Sequence, residues 1–171
     1  HDPARLADPL PSMNALLAWS KANPGRFTFP QPPDFLGSTF LKQALIDLLD
    51  DASPLQAPAT DANYAQVTAP LWDFLAELTP NLWRQGRAYP QTGPRQLQLI
   101  ADGEIDLAIS FSPGEASTAI TNFQLPETAR TFVLDKGTLG NASFVAVPYN
   151  SSVTEGAMVV ANFLLSPEAQ A

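Results

Sequence analysis

Apolar residues recur with two different periods that alternate along the chain, and this alternation restricts the fold more than any single motif does. Met13, Leu16, Leu17 and Ser20 follow helical spacing after Ser12, a good cap, until Asn23-Pro24-Gly25 interrupts them. Arg26-Phe27-Thr28-Phe29 then alternates like a short strand facing the core with its two phenylalanines. Helical spacing returns in Phe40, Leu41, Ala44, Leu45, Leu48 and Leu49, in a helix expected to open at Ser38. It returns again from Tyr64 to Leu78, where Pro70 either kinks one helix or starts a second. Leu82 and Trp83 read as a short strand, and Gly93-Pro94 opens a helix that runs to Gly103. Ile105, Leu107 and Ile109 alternate with Asp106, Ala108 and Ser110, giving a strand with one apolar face. Ser112-Pro113-Gly114-Glu115 then opens a helix with Ser112 as cap. Thr131 to Leu134 and Ser143 to Val147 read as further strands, and Thr154 to Leu165 as a last helix with Ala157, Met158, Ala161, Phe163 and Leu165 on its apolar side. Short strands separated by helices predict an α/β fold: a three-layer α/β/α lobe with a mixed, mostly parallel sheet.

Composition narrows the function classes. A length of 171 residues suits one ordinary domain, and the 45% hydrophobic fraction is that of a folded chain. No apolar run approaches the roughly 18 residues that a membrane-spanning helix needs. A net charge of −8 argues against nucleic acid or an anionic membrane surface as partner. The absence of cysteine rules out disulfides, thiolate metal sites and cysteine nucleophiles, and it suits an oxidising compartment. Residue 1 is His, not Met, and Ser166-Pro167-Glu168 starts a capped helix just before Ala171. Both ends lead us to expect a piece of a longer, processed protein.

Ligands of open α/β sheets gather beyond strand carboxyl ends, where helix N-termini present free N–H groups. Two segments fit that description and are expected to share one edge of the sheet. In Gly37-Ser38-Thr39, a glycine allows close backbone approach and two hydroxyls add donors, although ordinary helix capping explains Ser38 as well. In Ser110-Phe111-Ser112, capping accounts for Ser112, with Glu115 completing a capping box, but it requires neither Ser110 nor Phe111. Trp83, Arg84 and Arg87 could pair an aromatic platform with cations, and Asp47, Asp50 and Asp51 form a carboxylate run that lacks the spacing of a calcium loop. A core tryptophan and a solvated helix end are the plainer accounts of these. With His1 the only histidine, a Ser–His pair has no second candidate base, and no nucleophile elbow, Walker loop or dinucleotide fingerprint occurs. No catalytic residue, metal site or cofactor is expected. A hydrolytic α/β enzyme built around Ser112, or a non-catalytic interaction module, are the competing readings.

Three stretches carry a family resemblance. Leu99-Ile100-Ala101-Asp102-Gly103-Glu104-Ile105-Asp106-Leu107-Ala108-Ile109-Ser110 resembles the ΦxxGEΦDΦΦΦ run of type 2 periplasmic binding proteins, where Φ is apolar. Phe163-Leu164-Leu165-Ser166-Pro167-Glu168-Ala169-Gln170 is similar to a signature found late in the same proteins, and Ser143 to Asn150 resembles their strand returning to the first lobe. The Pro24-Gly25-Arg26-Phe27, Phe35-to-Phe40 and Ser110-to-Glu115 stretches look closest to the YnjB-like branch. The resemblance implies a periplasmic solute-binding protein of a bacterial ABC importer, with two lobes closing on a small ligand and a membrane permease as partner. It implies that residues 1–141 form the second lobe, and that 142–171 carry the crossover strand and helix toward the first. It also implies ligand contacts from Gly37, Ser38, Thr39, Ser110, Phe111 and Ser112. The nearest groups bind thiamine, spermidine or putrescine, and iron(III), so a thiamine-like, polyamine or oxyanion ligand is expected. Tyr64, Tyr89 and Tyr149 do not form the tyrosine pair of iron(III) binders, and the acidic and aromatic set that grips polyamines is not evident. A lobe separated from its mate would leave the last helix uncovered and open to self-association.

Overall fold

Ser12 opens the first helix as its sequence predicts. Its hydroxyl accepts from the Ala15 N–H at 3.2 Å, and α1 (Met13–Ala22) stops where the Asn23 amide folds back to donate to the Trp19 carbonyl at 2.9 Å. The computed structural model describes residues 1, 5–112, 114–140 and 144–170. The described chain divides into two units, His1–Leu139 and Gly140–Ala171.

In the first unit, α2 (Phe35–Leu48) begins earlier than expected, because Asp34 takes the cap position and its carboxylate accepts from the Leu36 N–H at 2.9 Å. A charged acceptor at a helix start is favoured by the helix dipole, and it leaves Ser38 inside the first turn. Helix α3 (Asp61–Leu78) runs unbroken through Pro70, opened by a reciprocal capping box between Thr60 and Asn63. Helix α4 (Gly93–Ala101) carries Pro94 in its first turn behind the cap Thr92, and α5 (Glu115–Thr121) is short. Helices α1, α2 and α3 pack on one another around Phe27, Phe29, Phe40, Leu71, Phe74 and Leu78. The rings of Phe29 and Phe40 lie 4.5 Å apart and those of Phe27 and Phe40 5.7 Å apart, so three aromatics fill the centre.

The expected three-layer α/β/α lobe with its mostly parallel sheet is not what forms. Among the described residues the one β-type pairing outside regular strands is a parallel bridge between Phe27 and Leu107, and the described parts of the other expected strands make no ladder. The reason lies in where the backbone groups of Arg26–Phe29 go. The Arg26 carbonyl accepts from the Asp106 N–H at 2.8 Å, that of Phe27 from the Trp83 N–H at 2.8 Å, and that of Thr28 from the Gln96 side-chain amide at 2.8 Å. Pro30 then has no N–H to continue a ladder. Period-two alternation reports which side of a segment is buried and says nothing of whether a neighbouring strand exists to pair with it. Leu82 and Trp83 likewise make no strand. Leu82 is buried, and the chain then makes a tight turn over Trp83–Gly86 with Arg84 and Gln85 at φ 52° and 59°.

One ion pair locks the bridge in place. Arg26 grips Asp106 with Nε 2.6 Å from Oδ2 and Nη2 on Oδ1, while Arg5 Nη1 donates to Oδ1 at 2.6 Å. The Asp106 side chain is only 9% exposed, so burial pushes its carboxyl upward, but the hydrogen bonds from Arg26 and then Arg5 outweigh that and hold it below the usual carboxylate range.

In the second unit, α6 (Thr154–Leu164) and the short α7 (Pro167–Gln170) follow an extended segment whose described part, Phe144 to Val147, is not in a strand. No residue of α6 is buried, and Met158, Val159, Val160 and Phe163 are exposed. Ser143, the expected start of that strand, lies outside the described residues, as do the boundary positions 141 and 142. Among the described residues no helix is long and apolar enough to cross a membrane.

Because the folded carboxyl of Asp106 titrates below its unfolded value near 3.8, its contribution is complete above that pH and is lost as pH falls through the folded value. Asp106→Asn should therefore cost about 1–3 kcal/mol at neutral pH, and the variant should lose less stability than the parent chain on acidification below about pH 4. Denaturant midpoints measured from pH 7 to pH 2.5 check both. Parallel pH profiles for the two proteins would show that the pair does not stabilise the fold.

Candidate functional site

The N-terminal turn of α2 carries the first group of expected site residues. Gly37 is buried, and a Cβ there would lie 1.9 Å from the Pro30 carbonyl oxygen. The close backbone approach that glycine permits is thus to the chain's own Pro30–Gln31. Ser38 and Thr39 are half-buried within the helix, and the Ser38 N–H donates to the Asp34 carbonyl at 2.9 Å.

The second group forms a small self-bonded turn. The Ser110 hydroxyl accepts from the Ser112 N–H at 3.1 Å and donates to the Ser112 carbonyl at 3.3 Å. The expected capping box between Ser112 and Glu115 is absent. Gly114 occupies the cap of α5 without a side-chain hydrogen bond, while the Glu115 N–H reaches the Ser112 carbonyl at 3.2 Å. Pro113, expected at the first helical position, lies outside the described residues. Ser112 is therefore exposed, with its hydroxyl uncommitted to the helix.

The start of α2 touches the second group through Phe35 and Phe111, whose rings meet edge to face at 6.2 Å and 77°. An open groove of about 370 Å³ begins at Ser112, with Glu115, Thr118 and Gln124 completing its polar side and Leu97 and Ala119 its apolar side. Sequence reasoning missed Phe35, Thr118 and Gln124. A signal for Phe35 was available: it directly follows Asp34, a residue type favoured at helix starts, and the structure leaves it 54% exposed.

Several of the remaining candidates have structural work. Trp83 Nε1 donates to Glu104 Oε2 at 2.9 Å, and the Arg84 guanidinium lies 4.3 Å from the centre of the Trp83 ring. Asp47 is buried and accepts from the Met13 N–H at 2.7 Å, and Asp51 accepts from the Ser53 N–H and hydroxyl at 2.9 and 2.5 Å. His1 packs its ring against Phe132 at 5.2 Å. Among the described residues no cluster of three His, Cys, Asp or Glu side chains could hold a metal ion.

The bacterial extracellular solute-binding protein family model matches residues 2–171. The chain belongs to this family. It is also 45% identical over 156 residues to protein YnjB of Escherichia coli strain K12, covering 91% of this chain and 40% of that protein. It therefore spans less than half the length of that relative. No solved structure matches. The family residues quoted from the sequence now have a physical place: Arg26 and Asp106, from two separate stretches, are the two halves of one ion pair.

Since Ser112 does not cap α5, Ser112→Ala should change stability by no more than about 0.5 kcal/mol. Thermal or urea denaturation checks this. A loss above about 1 kcal/mol would mean that the hydroxyl caps the helix after all.

Proposed function

We propose that this chain forms the second lobe of an extracytoplasmic solute-binding protein serving a bacterial ABC importer. Residues 1–141 make that lobe, and 142–171 lead toward the first. The whole protein captures a small molecule between its lobes and hands it to the membrane permease. Family membership supports the class, and the groove at Ser112, the residue after Phe111, supports the location. The Ser110 and Ser112 turn offers a hydroxyl and backbone groups for hydrogen bonds, Phe111 an aromatic edge, and Ser38 and Thr39 further hydroxyls from α2. Binding rather than turnover is the reading that family membership supports, and the chain's one histidine packs on Phe132.

A cleft shared by two lobes buries most of a ligand only when both are present. In the full-length protein, Phe111→Ala should weaken binding of the co-purified ligand by about tenfold or more, and the 171-residue chain should bind it far more weakly than the intact protein. Calorimetry on the three proteins tests this. Equal affinity of fragment and intact protein would sink the two-lobe reading, and an unaffected Phe111→Ala variant would sink the site.

The exposed apolar side of α6 supports self-association of the isolated chain. Light scattering on the eluting peak should give a mass above 18.4 kDa at tens of micromolar. A strict monomer would contradict it.

A further inference from the structure

Two buried polar side chains one turn apart on α2, Gln43 and Asp47, bond to segments that do not line the groove. Gln43 Oε1 accepts from the Leu139 N–H at 2.7 Å, and its Nε2 donates to the Gly137 carbonyl at 3.2 Å. A side-chain amide that meets the C=O of one residue and the N–H of the second residue after it imitates the peptide group of a neighbouring strand. That explains why a neutral amide is buried at this position, since an apolar side chain would leave both backbone groups without a partner.

The same segment is held at three further points. Lys136 Nζ donates to the Asp47 and Leu49 carbonyls at 2.7 and 3.1 Å, which lie at the C-terminal end of α2, where a cation also complements the helix dipole. The Asp135 N–H donates to the Pro11 carbonyl at 2.9 Å, just before α1, whose first N–H is in turn held by Asp47. Gly137, at φ +84°, closes the turn with its N–H on the Leu134 carbonyl at 2.9 Å. Residues 135–139 are thus strapped to the last turns of α2 and the entry of α1, and Leu139 is the final residue of the first unit.

We propose that this strap is the mechanical anchor at which the chain leaves the first unit. Leu139 moves with α2, and any displacement of the second unit begins after it. Gln43 is a positioning residue that acts through Gly137 and Leu139. The inference rests on hydrogen bonds inside the first unit and holds whatever ligand the groove takes.

Residue-resolved amide hydrogen exchange on the full chain tests it, because loss of an anchor is local whereas loss of stability is global. In the parent chain the Leu139 amide should be protected. Gln43→Met should lower that protection by about tenfold or more while the Ala44 and Leu48 amides of α2 keep theirs. Should Gln43→Met unfold α2, two milder variants take its place. Lys136→Met removes the bonds to the α2 carbonyls, and Gly137→Ala adds a Cβ that meets nothing within 4 Å but strains the positive φ. At least one of them should speed Leu139 exchange selectively. A Leu139 amide that exchanges freely in the parent chain overturns the proposal. So does one whose protection survives Gln43→Met, or survives both milder variants where Gln43→Met does not fold.

Discussion

Arg26 and Asp106 hold together two parts of the chain that no local rule would join. A carboxylate 91% removed from solvent is tolerated only with donors on both oxygens, and Arg26 supplies two of them in the planar fork that matches a carboxyl group. That grip sets residues 105–107 alongside Arg26 and Phe27, and the bridge between Phe27 and Leu107 follows from it. Phe27 is thereby seated under Phe40 in the core, and the chain beyond Ile109 emerges where Phe111 can meet Phe35. Removing Arg26 would leave the Asp106 carboxylate with Arg5 alone and Oδ2 without its donor, so this contact influences the fold out of proportion to the area it covers.

Helices were legible in the sequence and pairings were not. Ser12, Gly93 with Pro94, and the Thr154–Leu165 periodicity gave helix positions close to those observed, because caps, first-turn prolines and 3.6-residue spacing are local properties. The sheet was misread for a physical reason: alternation in Arg26–Phe29 and Ile105–Ser110 is satisfied by two segments touching at one bridge. The Phe27 and Thr28 carbonyls went to the Trp83 backbone and the Gln96 side chain, partners that no periodicity announces. At helix starts the error was one of competition. Asp34 displaced Ser38, and Gly114 stands where Ser112 was expected.

The same contrast governs the site. Ser110, Phe111 and Ser112 could be singled out because they exceed what capping requires, and they do form a distinct turn. Gly37 meets a structural need as well, since the Pro30 carbonyl packs against its α-carbon. What the sequence could not supply was the meeting of Phe35 with Phe111, a tertiary contact between residues far apart in the chain. Helix α2 gains its importance from such contacts at both ends. Phe35 at its start meets Phe111, and its C-terminal half, about 20 Å away at most by helical rise, holds the strap at Leu139.

The most direct measurement is the structure of the full-length protein with its co-purified ligand bound. The expected result is a small molecule within hydrogen-bonding distance of the Ser110–Ser112 turn, in contact with Phe111, with the Arg26–Asp106 pair intact beneath it. A bound ligand that touches neither this turn nor the start of α2 would contradict the assignment of the site.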